Sequence, residues 1–158
     1  MTGITDPREK EYDAIQRFFV RPFFLSLTIG IPFCIFKLLF GVTAFRTGTP
    51  GFVIIGSIVI VWACLDLLMN IGRSVFDLAG RPAPFEYCTI AQVGRMMHRP
   101  LAFLAVDTLL SFVIICIMLW SGWITHLSIP ESFLWYGATT LNLISLSLVS
   151  LYNEIRKG

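Results

Sequence analysis

The sequence predicts an all-α integral membrane protein: a four-transmembrane-helix antiparallel bundle, N- and C-termini cytoplasmic, with two short interfacial amphipathic helices. Three observations lead there. Four apolar stretches, roughly residues 23–45, 52–71, 101–123 and 133–152, interrupt a chain of 158 residues that is 56% hydrophobic with a mean hydropathy of +0.76. Each is about 20 residues long, the length that crosses ~30 Å of hydrocarbon at 1.5 Å per residue. Ten of the twelve Lys and Arg residues fall in the three segments on one side of those stretches. They are Arg8, Lys10, Arg17 and Arg21 before the first, Arg73, Arg81, Arg95 and Arg99 between the second and third, and Arg156 and Lys157 after the fourth. Cationic residues near span ends are retained in the cytoplasm, so both termini are expected inside, in keeping with an even number of spans.

Element by element, a single membrane domain over 1–158 divides as follows. Asp6-Pro7-Arg8-Glu9 has the cap, first-turn proline and acidic third position of a helix start. Tyr12, Ile15 and Phe19 recur on one face, which predicts an interfacial helix over 7–21. The first span covers 22–45 and contains Gly30-Ile31-Pro32, where a kink is expected because proline removes a ladder hydrogen bond. It is read as an uncleaved signal anchor, since no short apolar core with a cleavage site precedes it. A tight turn through Gly48 leads to the second span, 50–73, capped by Thr49. Gly80-Arg81-Pro82-Ala83-Pro84 breaks the chain before a second interfacial helix at 85–98. Its polar stripe is Cys88, Gln92, Arg95 and Arg99, with Tyr87, Ile90, Val93, Gly94 and Met97 on the other arc. The third span is 100–123. Ser128-Ile129-Pro130-Glu131 forms a capping box that starts the fourth, 130–153. Trp120, Trp123, Trp135 and Tyr136 are expected at the outer headgroup level. No Gly-xxx-Gly pair occurs, so tight glycine-mediated helix association is not indicated.

Several function classes drop out. The net charge of +2 reflects topology and comes without a polybasic run, so nucleic acid is not an expected partner. The four cysteines, Cys34, Cys64, Cys88 and Cys116, include no Cys-x-x-Cys pair, which argues against a thiol oxidoreductase. His98 and His126 lie on opposite sides of the membrane and cannot ligate a haem together. No metal-binding, nucleotide-binding or nucleophile-elbow motif is present, so no catalytic residue, metal or cofactor is assigned.

What remains is an intramembrane polar set: Asp66, Asn70, Arg73, Asp107, Lys37 and Asn142. Ionisable groups in hydrocarbon are costly and face a bundle interior or a wet cavity. Asp66, Asn70, Arg73 and Asp77 follow at spacings that place them on one helical stripe. Asp107 lies roughly 10 Å above Pro100, and Asp66 lies about as far from Arg73, so the two carboxylates are expected level. Taking Pro22 as the inner boundary puts Lys37 roughly 22 Å up, too far out to pair with either. Asp107 is therefore expected to pair with Arg73 first and with Asp66 or Asn70 second. Two readings follow. Either the carboxylates share a proton or cation, or they hold the spans together as hydrogen-bonded polar contacts. The function expected is a small non-catalytic subunit or assembly factor of a larger membrane complex, its partners being membrane lipids and other membrane subunits or itself. The alternatives are an oligomeric transporter or channel for a proton or cation, and a membrane enzyme acting on a lipid or quinone. The location expected is the cell membrane.

Overall fold

The computed structural model describes residues 22–157; the interfacial helix expected at 7–21 lies outside the described residues. All regular structure within them is helical. A short α1 (Pro22–Leu25) runs through a π-helical turn (Ser26–Gly30) into α2 (Ile31–Arg46). Then come α3 (Pro50–Leu78), α4 (Thr89–Met96), α5 (Pro100–Trp120), a 3₁₀ turn (Trp123–His126) and α6 (Ile129–Lys157). Three helices are long and apolar enough to cross a membrane: Ser26–Arg46, Pro50–Leu78 and Pro100–Trp120. The chain is thus a multi-pass helical membrane protein by length and composition.

The π turn sits where the kink is expected. Pro32 has no N–H to give the ladder, and the turn Ser26–Gly30, one residue before it, widens into i→i+5 winding. Beyond it, α2 and α3 pack antiparallel at very short range. A Cβ on Gly56 would lie 2.6 Å from the Gly41 carbonyl oxygen, so the two backbones meet where neither carries a side chain. This close crossing lies within one chain and uses one glycine per helix, a pairing that a search for Gly-xxx-Gly does not detect. Thr49 precedes α3 in extended conformation, but its side chain makes no cap hydrogen bond; Pro50 in the first turn sets the start instead. α3 also runs past Arg73 to Leu78.

α2 is the centre of the bundle. Half of its apolar window is buried, against 22% for α3 and for α5. α3, α5 and α6 each pack on α2, while α5 scarcely touches α3 or α6. Towards the Arg46 end, Phe33, Phe36, Leu39 and Phe40 of α2 form the core with Val59, Ile114, Met118, Trp135 and Ala138. Phe36 meets Trp135 edge-on at 4.8 Å, and Phe40 stacks on Trp123 at 5.7 Å. Trp135 is therefore a core residue and not a headgroup anchor; Trp120 and Tyr136 are exposed. Arg46 and Glu131 close this end with a 2.8 Å ion pair, and Glu131 also accepts from the Ser128 N–H, the acidic half of the expected capping box.

At the opposite end, the connection after α3 departs from its expected form. Residues 85–88 are not helical, and α4 begins only at Thr89, with Cys88 as its N-cap. α4 lies on α5: a Cβ on Gly94 would meet Phe103 at 2.5 Å. Its buried residues are Ala91 and Gly94, whereas Val93 and Met97 are exposed and Cys88, placed on the polar stripe, is buried. His98 takes the left-handed conformation (φ 58°), and the Arg99 N–H returns to the Gly94 carbonyl, a turn that ends α4 and aims the chain into Pro100.

Candidate functional site

Lys37 of α2 stands between two carboxylates. Its Nζ donates to Asp66 Oδ2 of α3 at 2.7 Å and to Asp107 Oδ1 of α5 at 2.6 Å. The Lys37 and Asp66 side chains are each 1% exposed and that of Asp107 8%, so the three charges are effectively out of solvent. The ammonium also lies 4.1 Å over the Trp62 ring, a face that favours a cation. Removing ionic groups from water costs several kcal/mol per ion, and only close pairing with further hydrogen bonds offsets it. The triad ties the central helix to two helices that do not otherwise pack together.

The pairing differs from the expected one in two respects. Lys37 is level with both carboxylates, and Arg73 is not a partner of Asp107. The α2–α3 register explains the first point. Gly30 abuts Asn70, and the Phe23 N–H donates to Asp77 at 3.2 Å. Pro22 thus lies beyond the level of Arg73, so a height counted from Pro22 and one counted from Arg73 do not share an origin. Arg73 meanwhile points to the loop: it donates to the Phe85 carbonyl at 2.9 Å, pairs with Glu86 at 3.3 Å, and stacks 3.8 Å over Tyr87.

That anchored loop delivers the residues that sequence reasoning missed. Thr89 donates both its backbone N–H (2.7 Å) and its hydroxyl (2.8 Å) to Asp66 Oδ1. Asn70 Nδ2 donates to the Tyr87 carbonyl at 2.9 Å and to the Asp66 carbonyl at 3.0 Å. Because Nδ2 faces two carbonyls, the orientation of the amide is fixed, and Asn70 Oδ1 is left buried without a partner beside Gly30. Cys88 is buried beside Asp107; burial, together with the Asp107 carboxylate, pushes its thiol up to about 12, so it stays protonated. No periodicity marks these positions, since an irregular segment entering a bundle leaves no repeating pattern. The breaker Gly80–Pro84 only says that the helix stops.

A cavity of about 500 Å³ adjoins the triad. Its polar end carries Lys37, Asp66, Asp107 and Asn70, and Cys34 and Cys88 lie there too; its walls are apolar, with Phe33, Phe36, Leu104, Phe112 and Ile115. Asn142, with Thr139, reaches it from α6. The rim residues Phe112, Leu143 and Leu146 are largely exposed, and α5 and α6 scarcely touch, so the cavity opens sideways between these two helices. Of the sequence-derived polar set, Lys37, Asp66, Asn70, Asp107 and Asn142 line one space, and Arg73 stands outside it. Among the described residues no cluster of three or more His, Cys, Asp or Glu has metal-holding geometry. Chemically, the site can hold a proton or a positive charge at one end and an apolar body along its length. No family model matches this chain, and neither a curated protein nor a solved structure matches it.

Proposed function

We propose that this chain is a four-span membrane protein that admits a small amphipathic molecule from the bilayer into the cavity and links its binding to protonation of the Lys37–Asp66–Asp107 centre, as a proton-coupled carrier does. The observation that carries the reading is a triad with two carboxylates for one ammonium, set at the end of an apolar cavity that opens sideways. A cavity of 300–1,000 Å³ with apolar walls and a few convergent polar groups is the usual form of a small-molecule site. A triad serving only to hold helices together needs no cavity beside it.

In this reading α6 is the fourth span. Its 29 residues are long enough, and its lower hydropathy has a local cause: Thr139 and Asn142 face the cavity, and Ser145 donates to Thr28 at 2.8 Å. The excess of Lys and Arg on one side supports placing the α1 and α3–α4 end in the cytoplasm. The expected role as a non-catalytic subunit rests on the lack of a catalytic set, and the cavity favours the carrier over it.

Native mass spectrometry of the protein extracted in mild detergent tests the reading. Wild type should carry a small-molecule adduct, and Leu104→Trp, whose indole fills the cavity, should not. Vesicles holding the protein and a trapped pH dye should lose a pH gradient faster with wild type than with Asp107→Asn. Adduct-free spectra in every mild detergent, with gradient decay indifferent to Asp107→Asn, would overturn it.

A further inference from the structure

The charge count at the cavity's end selects a class of ligand. As ions, Asp66, Asp107 and Lys37 leave one negative charge in a wall shielded from water, where an uncompensated charge costs several kcal/mol. A single positive charge must accompany it. The two carboxylates are not equivalent sites for that charge. Asp66 already accepts three donors, one from Lys37 and two from Thr89, so its lone pairs are largely used. Asp107 accepts from Lys37 and from the Cys88 thiol, a weak donor, and lines the cavity.

A second acceptor points the same way. Asn70 is 3% exposed and lines the cavity, yet its Oδ1 has no partner. A buried amide oxygen left unsatisfied costs about 1–3 kcal/mol, which a donor on a ligand would recover. Both unfilled groups are therefore acceptors. An anionic or acceptor-only ligand would add repulsion at this end, whereas an ammonium satisfies both. Along the walls, Phe33 and Phe112 meet edge-on at 5.5 Å and offer aromatic surface that tolerates a cation's neighbourhood as well as an alkyl chain.

We propose that the cavity binds a lipophilic ammonium, an amine with an apolar body and at least one N–H, docked on Asp107 and Asn70 Oδ1. This specifies the ligand of the site proposed above and rests on that reading. Without ligand, the centre holds one proton, on Asp107. Binding RNH₃⁺ releases that proton to solvent, so charge is conserved: one cation in, one proton out. The titratable groups facing Asp107 are Lys37 and Cys34 on α2, Asp66 on α3, and Cys88 with Tyr87 on the loop; α6 presents the uncharged Asn142. Exchange against one proton makes affinity rise about tenfold per pH unit while Asp107 is protonated in the free protein.

The test uses full-length protein in lipid nanodiscs, with empty nanodiscs as the reference for partitioning. Four twelve-carbon probes share one body: dodecylamine, dodecyltrimethylammonium, dodecanol and dodecanoate. Calorimetry in buffers of different ionisation enthalpy reads affinity and proton release together. Dodecylamine should bind at least tenfold more tightly than dodecanoate and release about one proton. Asp107→Asn should abolish the proton release and weaken dodecylamine at least tenfold. Asn70→Leu, which keeps the three charged side chains but also removes the amide's bond to the Tyr87 carbonyl, should weaken dodecylamine severalfold more than dodecyltrimethylammonium, which has no N–H to donate and serves as the control for any shift of the loop. That variant keeps the proposal testable if Asp107→Asn does not fold. Dodecanoate binding as well as the amine, or amine binding without proton release, would overturn the ligand class. Dodecanol that saturates and is expelled by Leu104→Trp would show in that event that the cavity reading stands. If none of the four probes binds, both fail.

Discussion

The two carboxylates that flank Lys37 have the same chemistry and opposite surroundings. Asp66 is 1% exposed, is gripped by the Thr89 N–H and hydroxyl, and faces a loop that Arg73 clamps from outside. Asp107 keeps 8% exposure, receives one ammonium proton and the weak Cys88 S–H, and borders the cavity. One side of the centre is built and sealed by α3 and the loop; the other is left open towards α6. The difference teaches that burial of an ion triad says little by itself about its role. What separates a structural carboxylate from a working one is whether its remaining lone pairs are already used.

The largest expected effect comes from removing what both sides share. Lys37→Met leaves two carboxylates in the bundle with no cation, and breaking a buried pair from one side costs about 3–5 kcal/mol. A fall of many degrees in the midpoint of intrinsic tryptophan fluorescence is expected on heating the protein in nanodiscs. Adding Asp66→Asn and Asp107→Asn to Lys37→Met should restore much of the loss, because the uncharged set no longer strands an ion. A Lys37→Met protein as stable as wild type would mean that the triad contributes nothing to the fold.

Next in size is the contrast itself. Asp66→Asn places an amide against the Lys37 ammonium or the two Thr89 donors, and charge-assisted bonds of this kind are worth about 1.5–3 kcal/mol each. Asp107→Asn leaves the Lys37–Asp66 pair whole and removes the surplus carboxylate, so it should cost less than about 1 kcal/mol or stabilise. Thermal midpoints of the two variants, with hydrogen exchange across residues 85–92, read the difference. Exchange there should accelerate in Asp66→Asn and stay at the wild-type level in Asp107→Asn. Equal losses, or the reverse order, would break the distinction between a sealed and an open side.

Helix length and residue type predict most of the architecture, while the site was only half legible. The starts of α3 and α5 follow from Pro50 and Pro100, though not their ends at Leu78 and Trp120, and the π turn follows from Pro32. The members of the polar set were visible because a charge in an apolar run is costly wherever it points. Who pairs with whom was not visible, because pairing depends on the axial offset of one helix against another. That offset is set here by the Gly41–Gly56 crossing, a contact that neither helix reveals alone. Thr89 was harder still. Its role depends on a non-helical 85–88 segment turning into the bundle, where the sequence predicts a helix over 85–98 with Tyr87 on its apolar arc. The aromatic residues are instead loop anchors: Phe85 lies against Gly72 and Phe76, and Tyr87 under Arg73.

The smallest effect is a reactivity, and it sharpens the comparison at the point where loop and cavity meet. Cys88 is 3% exposed and beside Asp107, and its thiol is pushed up to about 12 from 9.0, first by burial and then by the Asp107 carboxylate, with Asp66 a lesser contributor. Only the thiolate reacts with N-ethylmaleimide, so a shift of that size slows labelling at pH 8 about a thousandfold relative to an ordinary thiol. In a protein carrying Cys34→Ala, Cys64→Ala and Cys116→Ala, the rate should keep climbing roughly tenfold per pH unit above pH 10, where an unperturbed thiol has levelled off. Above the pH at which Asp107 gives up its proton, adding Asp107→Asn removes the second cause and should speed labelling more than adding Asp66→Asn does, provided the loop remains closed by the exchange measurement above. A rate that levels off near pH 9 in the parent protein would mean that water reaches Cys88, and that the loop side of the centre is as open as the cavity side.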